Sequence, residues 1–333
     1  MNAHMPKSRR SLNVACALDL NIWKQVAKSK PLGEPARCHL EVVRALKRLY
    51  RTVHLVPLGD DLARLLNAFK ELKPDVVFNL ALSACDLQPS FAGFLDFVGI
   101  PYTGSAPLGI ALATDKIRSR ELLRAAGLRV PRFVGLPIGA SNIPLDLTPP
   151  VIVKPARLGG SSYGIYRDSL VMTPAAALAC ARRIWERLGL PAVCDEFVRG
   201  RELRIGVIED QGRSRFRITG ISECHFPGVT PGWGFKNEGV RINSRVRKAR
   251  GVWSSIAKLP KSVIADLAAI AESAMRVLDV RGYGTLDVRM DNFGRITVLE
   301  VNPNPGLTRR SKPWQRPSFA YNISCIVRAA LAR

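Results

Sequence analysis

Short apolar runs alternate along this chain with segments whose apolar residues recur every three or four positions. Residues 12–18 (LNVACAL), 52–58 (TVHLVPL) and 75–82 (DVVFNLAL) are brief and almost wholly apolar, as buried parallel strands are. Between them, Leu40, Val43, Leu46 and Leu49 put one apolar stripe on a helix over 35–50, and 60–72 and 90–98 also read as helices. That alternation predicts a parallel α/β unit. GIPYTGS (99–105) reads as strand and turn, and 106–127 as a helix ended by Gly127.

The second half has a different rhythm. Pro137 to Pro150 reads as a loop, VIVKPA (151–156) as a strand, RLGGSSYG (157–164) as a small-residue loop, and 164–167 as another strand. A helix follows over 174–188, opened by Pro174. Residues 192–198, 202–208 and 215–221 are successive strands, and TLDVRM and RITVLEV two more. Helices are expected over 261–278 and 318–331. Residues 225–258 show no period and are rich in glycine, which predicts a lid or binding loop. The fold class is therefore α/β, with α+β character in the C-terminal half.

Composition narrows the function. With 333 residues and 47% hydrophobic positions, the chain can bury real cores, at roughly 100–200 residues per domain. The longest uncharged run, Phe97 to Thr114, is broken by prolines and glycines, which argues against a membrane span. Asp19 ends the first apolar stretch too early for a signal peptide. Seven widely spaced cysteines without a CxxC pair point to reduced thiols in the cytoplasm and to no zinc site. The net charge of +23 calls for an acidic partner, a membrane surface or a basic proteome. Aromatics are only 7%, and no nucleic-acid signature is present, so a nucleic-acid role is not expected.

Three segments carry candidate chemistry. In GTLDVRMDNFGRITVLEVNPNPGLT (284–308), a four-residue turn would set Asp287 opposite Val298, with Glu300 diagonal and Asn302 on the same face. Two carboxylates and an amide so placed suit Mg²⁺ with substrate phosphates. Lys154, ending a strand before the small-residue loop, offers a point charge to phosphate, and the loop offers backbone N–H groups. In CDEFVRGRE (194–202), Phe197 and Val198 could form an apolar slot for a purine, and Glu202 could accept from ribose hydroxyls. Basic residues crowd nearby: Arg213, Arg215 and Arg217 alternate along a strand, and Lys236, Arg241, Arg245, Arg247, Lys248 and Arg250 lie in the lid.

Taken together, VVFNLAL, GIPYTGS, the TDK of 114–116, LLRAAGLRVP, VIVKPA with its loop, DEFVRGRE, the GYGTLD run and LEVNPNPGLT resemble the ATP-grasp superfamily, and within it the D-alanine–D-alanine ligases. The resemblance implies an ATP-grasp fold of three domains: a Rossmann-like 1–103, a central 104–191 and a C-terminal 192–333. It implies ATP and Mg²⁺ (or Mn²⁺) as cofactors, and small-molecule carboxylate and amine substrates. Lys116 and Lys154 match the phosphate lysines. Gly160, Ser161 and Ser162 match the phosphate loop, Glu196, Phe197 and Val198 the adenine hinge, and Glu202 the ribose acceptor. Asp287, Glu300 and Asn302 match the metal ligands, and Gly306 and Ser311 line the substrate site. A homodimer is also implied.

This chain departs from the family where the acyl group would sit. Thr285 stands where the family has arginine, LALSACDLQPS replaces its His-Gly and Gly-Glu-Asp-Gly elements, and DLNIWKQ replaces its glycine-rich turn. Arg289 and the lid residues, Lys236 among them, are the expected substitutes, so Lys236, Arg289 and Ser311 are the candidate catalytic residues. The reading is an ATP-dependent carboxylate–amine ligase acting on a substrate other than D-alanine, with an acidic substrate suggested by the charge. The rival is a non-catalytic ATP-binding protein, with a polyanion-binding protein as third reading.

Overall fold

In the computed structural model, all residues are described except 1–10, 29–33, 60, 82–86, 144–146, 158–161, 211–214, 243 and 310. The first 80 residues form a parallel sheet of β1 (Asn13–Asp19), β2 (Thr52–Leu58) and β3 (Val76–Asn79) in the order β2-β1-β3. The central strand β1 is the most apolar, and Val14 to Leu18 are fully buried. Helices α1 (Leu20–Ala27), α2 (Glu34–Leu49), α3 (Leu62–Leu72) and α4 (Leu87–Phe97) connect and cover it. Tyr102 adds a parallel bridge to Val77. The expected helix over 106–127 is two, α5 (Pro107–Thr114) and α6 (Lys116–Ala125). Asp115 separates them: it is extended, and its carboxylate accepts from the N–H groups of Ile117 and Arg118 as the α6 N-cap.

A four-stranded sheet follows, β4 (Phe133–Leu136), β5 (Val151–Pro155), β6 (Leu170–Val171) and β7 (Ala192–Glu196), in the order β4-β7-β5-β6 and backed by α7 (Pro174–Leu188). The expected strand at 164–167 is turn; β6 forms later and is only two residues long. Because β7 belongs to this central sheet, a division at 191/192 would cut the sheet.

The C-terminal sheet is antiparallel: β8 (Arg201–Asp210), β9 (Arg215–His225), β10 (Trp253–Ile256), β11 (Tyr283–Met290) and β12 (Ile296–Pro303), in the order β10-β9-β8-β11-β12. The segment expected to be an irregular lid holds two short helices, α8 (Glu238–Ile242) and α9 (Ser244–Ala249), and ends in β10. Helix α10 (Lys261–Val277) covers one face of the sheet. Leu203, Ile205 and Val207 of β8 and Leu286 and Val288 of β11 pack there with Leu267, Ala271 and Met275. By the two-residue alternation of a strand, Glu202, Arg204, Thr285, Asp287 and Arg289 face the other way. That polar face looks onto the central sheet. The last helix, α11 (Phe319–Leu331), returns to the N-terminal core, where Phe319, Ile323 and Ile326 join Val14, Leu46 and Phe78.

Candidate active site

A cleft of about 600 Å³, open to solvent, lies between the central and C-terminal sheets. Its apolar lining includes Ile152, Phe197, Val198, Phe235 and Leu299. Its polar lining includes Lys154, Ser162, Asp195, Glu202, Arg204, Lys236, Asp287, Arg289 and Glu300. On the C-terminal sheet, Glu202 stands opposite Arg289 and Arg204 opposite Asp287, so charges of alternating sign tile one face.

The metal set arrives by a route the sequence did not show. The turn after β11 has five residues, Asp291 to Arg295, since Met290 pairs with Ile296. An odd turn alone would throw Glu300 to the opposite face. A bulge at Leu299 restores parity, so that Asp287 pairs directly with Glu300 and Thr285 with Asn302. Asp287, Glu300 and Asn302 therefore do share a face. The set nonetheless does not fit a three-ligand metal site. Arg204 forks Asp287, with Nε 2.7 Å from Oδ1 and Nη2 2.8 Å from Oδ2, and Asn302 Nδ2 donates to the same Oδ2 at 3.1 Å. Burial pushes the Asp287 carboxyl up, but Arg204's charge and hydrogen bonds, with Lys236 behind them, outweigh it and hold the carboxyl below the usual aspartate range. Sequence reasoning missed Arg204. Its signal was present: it lies two residues from Glu202, on the same strand face.

Glu202 is held just as firmly. Lys236 Nζ lies 3.1 Å from Oε1 and Arg289 Nη2 2.9 Å from Oε2. Burial raises the Glu202 carboxyl, and these two cations overcome it and depress its pKa. Each oxygen keeps a second lone pair for a ribose hydroxyl. Arg289, the expected substitute for the arginine missing at Thr285, lines the cleft with its guanidinium already engaged. Its guanidinium donates to the carbonyls of Val198, Gly200, Gly232 and Gly234, and stacks 5.0 Å from the Phe197 ring centroid. It clasps the hinge to the lid base. Thr285 is 2% exposed, and its hydroxyl has no hydrogen-bond partner among the described residues.

On the opposite wall, Lys154 reaches Asp195 Oδ2 at 3.1 Å, and Arg120 reaches the same oxygen at 2.9 Å. Ser162 lines the cleft with φ of 80°. Gly160 and Ser161 lie outside the described residues. At the hinge, Glu196 accepts from the Thr148 N–H at 3.0 Å and pairs with Arg132, while the Phe197 N–H donates to the Pro150 carbonyl at 2.8 Å. Phe197 packs against Trp233 and Phe235, so the lid's aromatics cover the hinge. The lid also docks on the phosphate loop: the Gly164 N–H donates to Glu238 at 2.8 Å, and the Glu238 N–H to the Ile165 carbonyl at 2.8 Å.

Lys116 starts α6, buried, and is not among the cleft's lining residues. Gly306 and Ser311 sit on the loop after β12. That loop is tied to α2, because Thr308 and the Arg309 N–H both donate to Glu41, at 2.6 and 2.7 Å. Among the described basic residues of the lid, Lys236 alone lines the cleft. Arg217 turns instead to Asn322 and Tyr321 of α11.

The model of the D-Ala–D-Ala ligase C-terminal domain matches residues 122–317. A D-alanine–D-alanine ligase of Gluconobacter oxydans is 32% identical over 299 residues, spanning 87% of this chain and 92% of that protein. The chain belongs to the D-alanine–D-alanine ligase family. Membership makes it an ATP-dependent carboxylate–amine ligase. Two solved structures share its fold. The Bacillus anthracis D-alanine–D-alanine ligase complexed with ATP matches with a TM-score of 0.73 at 16% identity, covering 97% of this chain and 98% of that one. The VanG D-Ala:D-Ser ligase of Enterococcus faecalis matches with a TM-score of 0.69 at 18% identity, covering 96% and 100%. The ATP-grasp architecture is thus that of the D-alanine–D-alanine ligase family. Among the described residues, no helix is long and apolar enough to cross a membrane.

Proposed function

We propose that this ligase activates a small carboxylate other than D-alanine with ATP and joins it to an amine, with the nucleotide in the cleft between the two sheets. The observation that supports the reading is the cleft's lining: apolar Ile152, Phe197 and Leu299, which suit a purine, together with Lys154, Arg204 and Lys236, whose cations suit a triphosphate. The base would lie between Ile152, Phe197 and Leu299, and the ribose hydroxyls on Glu202. Lys154, Lys236 and Arg204 would spread the phosphate charge.

A carboxylate oxygen of the substrate attacks the γ-phosphorus, and ADP leaves. The amine nitrogen then attacks the carbonyl carbon of the acyl phosphate. Phosphate departs with that same oxygen, and the nitrogen's proton passes to solvent. The lid's contacts with Gly164, Ile165 and Arg289 keep out water that would hydrolyse the acyl phosphate. A changed substrate is supported by Thr285, a buried hydroxyl without a partner where the resemblance places a guanidinium. The net charge of +23 supports an acidic substrate. Cytoplasmic location and a homodimer complete the reading, the latter checked by sedimentation.

Hydroxylamine trapping tests it. ATP, Mg²⁺ and pools of amino acids (D-alanine included), dicarboxylates and short peptides should yield hydroxamate and ADP in equal amounts, with a carboxylate other than D-alanine giving the highest rate. D-alanine as the best substrate would overturn the substrate part. ATP binding with no hydroxamate from any pool would favour the second reading, a nucleotide binder without turnover. The forked Asp287 and the unpartnered Thr285 hydroxyl are the observations on its side.

A further inference from the structure

Five carboxylates line the cleft: Asp195, Glu196, Glu202, Asp287 and Glu300. Four are already paired. Asp195 holds Arg120 and Lys154, Glu196 holds Arg132, Glu202 holds Lys236 and Arg289, and Asp287 holds Arg204. Glu300 is in no hydrogen bond or ion pair among the described residues; it feels Arg204 only through its charge, without the fork that holds Asp287. The Asp287 pair is also the most completely made of these. Both oxygens are engaged by one guanidinium and one of them by Asn302 as well, and the two strands set the partners directly opposite. A divalent ion bonding Asp287 at about 2.0–2.1 Å would have to displace that fork or sit against its positive charge.

We propose that Asp287 is not a metal ligand in this chain but the positioning residue that aims Arg204 into the cleft, so that the divalent cation falls to Glu300. A fixed guanidinium beside the phosphate end then does electrostatic work on the bound anion without having to be recruited. The proposal rests on reading the cleft as the nucleotide site, and the two can fail separately.

The test is Mn²⁺ titration followed by electron paramagnetic resonance, on the free chain and again with AMP-PNP. Glu300→Gln should weaken Mn²⁺ binding tenfold or more, whereas Asp287→Asn alone leaves Arg204 unneutralised beside Glu300, so Asp287 is judged with its partner removed as well. Arg204→Gln should tighten it, because Asp287 is released. Whether or not that variant folds, Arg204→Gln with Asp287→Asn removes both charges together, and its Mn²⁺ affinity should stay within threefold of the unaltered chain. A tenfold loss in the double variant would overturn the proposal, as would the absence of any Mn²⁺ binding to the unaltered chain. Loss of AMP-PNP binding by the unaltered chain would instead count against the ligase reading, while the ranking of the variants in the free chain still decides this proposal.

Discussion

The two walls of the cleft each bury an aspartate among cations, and each uses it differently. On the central sheet, Asp195 is fully buried. One oxygen is shared by Arg120 and Lys154, and the other has no partner among the described residues. Arg120 is 1% exposed and also reaches the carbonyls of Lys116 and Leu299. It ties α6, β7 and β12 together and touches no ligand position. On the C-terminal sheet, Asp287 gives both oxygens to Arg204, which does line the cleft. The first wall's aspartate anchors Arg120 between the sheets as well as steadying Lys154 at the cleft, while the second's holds a cation that lines the cleft. Similar buried pairs can therefore serve stability or chemistry, and what separates them is whether the cation reaches the cavity.

The sharpest way to break this contrast is Arg120→Ala. It empties a fully buried site that also bonds the Lys116 and Leu299 carbonyls and leaves Asp195 with Lys154 alone, and should cost about 3–5 kcal/mol, the range for breaking a buried pair. Urea unfolding measures it; a cost below about 1 kcal/mol would remove Arg120 from its structural role. Lys154→Ala should act the other way round. Asp195 keeps Arg120, so stability falls little, while ATP affinity drops about 10- to 100-fold, as loss of a charge-assisted contact of about 1.5–3 kcal/mol implies. Calorimetry reads that, and unchanged affinity would make Lys154 structural.

A smaller effect comes from pH. Asp287 and Glu202 have folded pKa values below their unfolded ones. Their contribution is therefore fully present above the unfolded values of about 3.9 and 4.3, and is lost as pH falls through the lower folded values. The urea midpoint should be flat from about pH 7 to 5.5 with respect to these groups and fall below about pH 4. A midpoint that rose on acidification in that window would contradict the pairings. The smallest effect belongs to a solvated helix pair. Arg276→Ala removes a 3.0 Å contact with Glu272 one turn away on α10, and should cost no more than about 0.5 kcal/mol.

Much of the fold was legible because it rests on local periodicity. The apolar runs of β1 and β3, the stripe on α2 and the alternation in β8 and β11 each announce their own burial. What was not legible depends on pairing between distant segments. The turn after β11 and the bulge at Leu299 each shift register by one residue, and only together do they bring Glu300 opposite Asp287. Arg289 looked like a substitute for the missing arginine because its parity is right. Parity cannot show that four carbonyls from the hinge and lid were waiting for it. Helix α11 joins the N-terminal core across some 240 residues of chain, a contact no local pattern encodes. The short lid helices α8 and α9 are too brief for a period to register.

The most direct test of acyl-phosphate ligase chemistry is isotope transfer from the carboxylate identified by hydroxylamine trapping. With that carboxylate labelled by ¹⁸O and its amine present, the account predicts one labelled oxygen in each inorganic phosphate released, because the attacking oxygen leaves with phosphorus. Label appearing in AMP, or phosphate released without label, would contradict it.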